Sequence, residues 1–91
     1  MQLLYKGSVR RISGSGMSYA NFEKEIPLRC EKTPLAVPDT YIKINAIEDN
    51  QVKFDVFFFD EPTNYVLYVG ERAEYKKEGN AFAFEIEFRL V

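Results

Sequence analysis

The stretch Arg10-Arg11-Ile12-Ser13-Gly14-Ser15-Gly16 comes nearest to a recognisable chemistry. Backbone N–H groups of a Gly/Ser loop can cradle a phosphate, and arginine adds a bidentate, charge-assisted contact. Arg10, Arg11, Ser13, Gly14, Ser15 and Gly16 are therefore candidate contacts for a small anionic ligand or nucleotide, with an aromatic such as Tyr19 stacking on it. The specificity of this signal is low, because Gly and Ser also favour exposed, mobile hairpin loops.

Glu71 is the second candidate. It continues the alternating line Tyr65, Leu67, Val69, Ala73, Tyr75. A lone carboxylate on a buried line is costly and has a raised pKa, which would put Glu71 at the mouth of a ligand pocket. Gly70 favours a plainer reading, in which the strand bends there and swings Glu71 to water. The pairs Glu48-Asp49 and Asp60-Glu61 lie in turns that select acidic residues for local backbone hydrogen bonds, and neither has the spacing of a calcium loop.

Absences narrow the field. The chain has no His and one Cys, Cys30. That composition cannot make a structural zinc site, a Cys–His nucleophile pair or a Ser–His–Asp triad. No P-loop lysine motif and no dinucleotide fingerprint occurs. An enzyme would have to work through Glu71 or a tyrosine acid, with no second group placed for a named reaction. We expect a noncatalytic protein without metal or cofactor.

With 91 residues, the chain reads as a single domain spanning residues 1–91. Apolar residues make up 46% and charged residues 29%, proportions that argue for a packed core rather than disorder. A net charge of −2 makes a nucleic-acid backbone a disfavoured partner. The charge is uneven: residues 1–45 carry seven Lys/Arg and four Asp/Glu (+3), residues 46–91 five and ten (−5). No apolar run, Val56–Phe59 included, is long enough to span a bilayer, and the N-terminus lacks the apolar stretch of a signal peptide. Together with the lone cysteine, this gives an expectation of a cytoplasmic protein.

The elements that must position these residues read as strands. Phe82, Phe84, Ile86, Phe88 and Leu90 fall on alternate positions, separated by Ala, Glu and Arg. A strand turns that spacing into one apolar face. The fold class is all-β: a small antiparallel barrel or sandwich of about six strands, near 2–12, 19–30, 40–47, 52–59, 65–76 and 81–91. A short helix from Ser18 to Glu25 rivals the second strand. In the first strand, the parity change between Val9 and Ile12 suggests a bulge near Gly7 or at Arg10-Arg11.

The last four strands predict a C-terminal meander by parity alone. A three-residue loop, Glu48-Asp49-Asn50, pairs Ile42 with Val56, Ile44 with Phe54 and Ala46 with Val52. A four-residue loop, Asp60–Thr63, pairs Phe58 with Tyr65 and Val56 with Leu67. An even loop at Glu78-Gly79 pairs Tyr75 with Phe82, Ala73 with Phe84, Val69 with Phe88, Leu67 with Leu90 and Arg72 with Glu85. The expected core rows are Ile44–Phe54–Val69–Phe88 and Ile42–Val56–Leu67–Leu90.

This register gathers Tyr41, Phe57, Val66 and Val91 on the outer face, with Phe59 just beyond. Contiguous exposed apolar residues mark binding surfaces, unless Leu35-Ala36-Val37 or the N-terminal strands fold over them. The expected function is a small interaction protein, such as an inhibitor, adaptor or assembly component. It would bind a protein partner, or itself as a homodimer, through this aromatic face or a sheet edge. A β-barrel holding a small anionic ligand is the alternative. An OB-like binder of single-stranded nucleic acid comes third.

Overall fold

A computed structural model describes all residues, Met1–Val91. The chain forms eight strands: β1 (Leu3–Ser13), β2 (Gly16–Ile26), β3 (Lys32–Pro34), β4 (Thr40–Ile47), β5 (Gln51–Phe58), β6 (Glu61–Tyr68), β7 (Arg72–Glu78) and β8 (Phe82–Leu90). They make two four-stranded antiparallel sheets, ordered β2-β1-β8-β7 and β3-β4-β5-β6. The fold is all-β and is an open sandwich rather than a closed barrel. No helix forms over Ser18–Glu25, and no helix is long and apolar enough to cross a membrane.

The alternation of β8 works as its spacing implies. Phe84, Ile86, Phe88 and Leu90 point into the core, where Leu3, Tyr5, Ile42, Ile44, Phe54 and Val56 meet them. The rings of Phe54 and Phe88 lie 5.3 Å apart across the sandwich. Ile42 pairs with Val56 and Ile44 with Phe54, as expected. The register then slips between Ile44 and Ala46, so Ala46 faces Lys53 instead of Val52.

The expected C-terminal meander is wrong as a single sheet. The segment 65–76 breaks at Val69–Glu71, and the chain crosses there from one sheet to the other. Gly70 takes a left-handed φ of 94°. The Val69 N–H donates to the Asn50 carbonyl in the β4–β5 turn of one sheet, and the Gly70 N–H donates to the Leu90 carbonyl of the other. The expected contacts of Val69 with Phe88 and of Leu67 with Leu90 are therefore absent. Tyr5 and Ala73 flank Phe88 instead, and Leu3 pairs with Leu90.

The hairpin turns also differ. β5 and β6 join through a two-residue turn, Phe59-Asp60, with φ of 48° and 63°. Such left-handed turns match the twist of paired strands, so two residues suffice where four were expected. Phe58 consequently faces Glu61, and Tyr65 faces Phe54. In β7–β8 the parity is as expected but the register is not: Tyr75 faces Ile86, Ala73 faces Phe88 and Lys76 faces Glu85. Arg72 instead reaches Glu87 at 3.9 Å.

Strand β1 carries no bulge, since its pairing with both neighbours is unbroken from Leu3 to Arg11. Gly7 lies so close to the Glu85 backbone carbonyl that a β-carbon would overlap it. Ile12 breaks parity because β1 has run beyond the core by then. β1 and β2 continue as an arm in which every residue from 10 to 20 is exposed, with β8 alongside as far as Arg11 and only two strands beyond it. The arm lengthens the molecule to 49 × 23 × 16 Å.

Leu35 and Val37 enter the core. The crossing segment between the sheets is pinned there, because the Ala36 N–H donates to the Tyr5 hydroxyl at 3.1 Å. The free edges of β6 and β7 are linked by the Tyr65 hydroxyl, which donates to the Glu74 carbonyl at 3.0 Å. The buried Tyr75 hydroxyl has no hydrogen-bond partner.

Two substitutions with the same chemistry should therefore act oppositely. Tyr5→Phe orphans the Ala36 N–H and should lower stability by roughly 1 kcal/mol. Tyr75→Phe removes an unsatisfied buried hydroxyl and should be neutral or stabilising. Urea denaturation of both variants checks this, and equal losses would contradict it.

Burial raises the pKa of Tyr5, Tyr65 and Tyr75 above the ordinary phenol value of 10.0. The Ala36 N–H partly offsets this at Tyr5, and the phenol of Tyr75 adds to it at Tyr65. At Tyr75 the nearby Thr63 hydroxyl, outside hydrogen-bond geometry, lowers the value and the Glu61 charge raises it. The unfolded chain thus loses these protons first as pH rises past 10.0. Their contribution to stability is complete below that pH and is lost above it. The urea midpoint should fall beyond that point, and more gently in Tyr75→Phe. A midpoint equally steep in both proteins would contradict the assignment.

Candidate interaction surface

Paired residues of adjacent antiparallel strands share a face. Val9 is buried, so Arg11, two residues on, lies on the inner face with Ser18 and Phe82. Arg10 lies on the outer face with Tyr19 and Ala83, and Ile12 faces Met17 beyond them. The two arginines therefore point to opposite sides of the arm and do not converge on one phosphate. Neither forms an ion pair. The Gly14 and Gly16 positions open to solvent, and the Ser13 hydroxyl donates to the Gly16 carbonyl at 3.3 Å. Ser15 completes the exposed tip.

The outer face of the arm presents Met17, Tyr19 and Ile12, which are 66%, 64% and 49% exposed. No acidic residue occurs from Gly7 to Phe22. Towards the base of the same face the character reverses. A shallow concavity of about 630 Å³ there includes Glu23, Glu74, Glu85 and Glu87, with Lys6 and Lys76 between them. The arm thus has a basic, apolar tip and an acidic base.

Under the arm, on the inner side, lies an aromatic cleft of about 350 Å³. Val9, Phe58, Phe59, Phe82 and Phe84 line it, with charge from Arg11 and Asp39. The ring of Phe58 lies 4.6 Å from Phe59 and 5.6 Å from Phe84. Phe59 is 62% exposed and holds a left-handed φ of 48°, a conformation that costs a non-glycine residue energy unless it is Asn or Asp.

The other expected site residues scatter. Tyr41 stacks on Phe57 at 4.6 Å, and the Lys32 ammonium sits 4.8 Å over the Tyr41 ring. Both rings are half-buried. Their row runs Pro34–Tyr41–Phe57–Pro62, so Val66 is not in it and faces Lys53 instead. Val91 belongs to the other sheet, where it exchanges backbone hydrogen bonds with Gln2. The expected five-residue patch is thus divided by the shorter β5–β6 turn and by the sheet crossing. Glu71 is exposed at that crossing, and its carboxylate accepts the Tyr68 N–H at 2.8 Å. It closes a turn rather than lining a pocket mouth. No cluster of three or more metal-ligating side chains forms.

Sequence reasoning placed Tyr19 near a ligand but missed Ile12 and Met17 as its neighbours. The signal was present in the parity break at Ile12, together with the long acid-free run through the turn.

Phe59→Asn should raise stability by about 1 kcal/mol, because Asn tolerates the left-handed turn position that Phe occupies under strain. A lower melting temperature would show that the Phe59 ring contributes more by packing on Phe58 than its backbone loses.

Compared with known proteins, the chain matches no family model, no curated protein and no solved structure.

Proposed function

We propose that this chain is a noncatalytic interaction protein that binds another polypeptide through its β1–β2 arm. The exposure of Ile12, Met17 and Tyr19 on an ordered hairpin beyond the core carries the reading. The hairpin gains little from its own folding past Arg11, where β8 no longer accompanies it and two strands alone are barely stable in water. Apolar side chains gathered on such an element are best used in a contact outside the chain. The absence of His and of a paired acid and base in the aromatic cleft supports a role without catalysis. The partner is a protein or a second copy. The single exposed Cys30 suits a reducing compartment, and we place the protein in the cytoplasm.

A second reading rests on the aromatic cleft. Arg11 contributes an unpaired guanidinium to an apolar cavity within the size range of small-molecule sites. That site would take a small aromatic or aliphatic anion. Thermal shifts with a panel of carboxylates and phosphates, lost in Arg11→Ala, would support it; no shift with any of them would remove it.

The arm reading is tested by native mass spectrometry of the purified protein and of Met17→Lys/Tyr19→Lys. The wild type should carry an added polypeptide, and the variant should be a folded, bare monomer with an unchanged melting temperature. An assembly that survives both substitutions would take the interface off the arm.

A further inference from the structure

The two sheets leave four free edges: β2 and β7 in one, β3 and β6 in the other. Exposed edges invite pairing with another chain, and proteins block them with short strands, proline and charge. Three of the four are blocked in this way. β3 is three residues long and ends in Pro34. β6 carries Pro62 opposite Phe57. In β7 five of seven residues are charged: Arg72, Glu74, Lys76, Lys77 and Glu78.

β2 is different. It runs for eleven residues with no register shift, and Gly16–Phe22 contains neither charge nor proline. Edge pairing needs continuity of this kind, and the unguarded stretch is the one that carries Met17 and Tyr19.

We propose that the free edge of β2 pairs antiparallel with β2 of a second copy of this chain, giving a two-fold dimer with one continuous eight-stranded sheet. This rests on the reading of the arm as the binding element. Charge selects the occupant. Antiparallel pairing about Asn21, the midpoint of the strand, lays the basic tip of each copy along the acidic base of the other. Tyr19 then faces Glu23 of the second copy, with Arg10 in the same row on the same face. Met17 faces Glu25 of the second copy, next to Ile12. A parallel arrangement would set like charges side by side, and any unrelated strand would lack the matched tip and base.

Cross-linking tests the dimer and its register together. In a Cys30→Ser background, Asn21→Cys places the two new thiols across the two-fold axis, where paired α-carbons lie about 5 Å apart. Mild oxidation should convert most of the protein to a covalent dimer. Glu25→Cys alone should not cross-link, because its copies are separated by roughly 27 Å along the strands. Mixed with Met17→Cys, it should. A monomeric Asn21→Cys protein after oxidation, or equal cross-linking by Glu25→Cys alone, would overturn the proposal. If native mass spectrometry shows an arm-dependent complex with a different polypeptide and Asn21→Cys stays uncross-linked, self-pairing falls while the arm remains the binding element.

Discussion

The structure depends on how far β1 outruns the core. β1 pairs with β2 along its whole length and with β8 from Leu3 to Arg11. Leu3, Tyr5 and Val9 anchor its inner face, and Gly7 lets β8 approach where any side chain would strike the Glu85 carbonyl. Tyr5 also holds the passage between the sheets through the Ala36 N–H. The same strand that fixes the sandwich therefore carries the arm out of it. Beyond Val9 its alternation meets water on both sides, and the hairpin can no longer bury what it presents.

That constraint links stability to function. The core secures the base of the hairpin, so the arm is held at a set angle rather than as a loose loop. Residues on its outer face then offer area at little further ordering cost, which is the condition for affinity from a small surface. The aromatic cleft lies under the arm on the inner side. Phe59 reaches that cleft from a strained turn position, and strain of this kind collects at binding sites.

The fold class and the Ile42–Val56 and Ile44–Phe54 pairs of β4–β5 were legible in the sequence through side-chain alternation, while the slip that sets Ala46 opposite Lys53 was not. Neither was the sheet crossing. Tyr65, Leu67, Val69, Ala73 and Tyr75 keep one parity through the corner at Gly70, and parity does not say which sheet a strand joins. The β5–β6 turn was obscured because Phe59 occupies a left-handed position that its residue type disfavours. The misplaced turn moved Val66 into the row of Phe57, and the unseen sheet crossing added Val91 to it, so the five-residue apolar patch does not exist. The arm was half legible. Ile12 broke the parity of β1, and a bulge explained that as well as an exposed face did, until the pairing with Met17 was known.

The most direct measurement of the account is amide hydrogen exchange across Gly16–Ile26 as a function of protein concentration. Amides on the free edge of β2 have no partner within the monomer, so they should exchange rapidly in dilute solution and slow together as the concentration rises. The guarded edge of β7 should not change. Rapid exchange of β2 at every concentration, with protection appearing nowhere on the arm, would contradict the central claim that this edge pairs with a second copy of the chain.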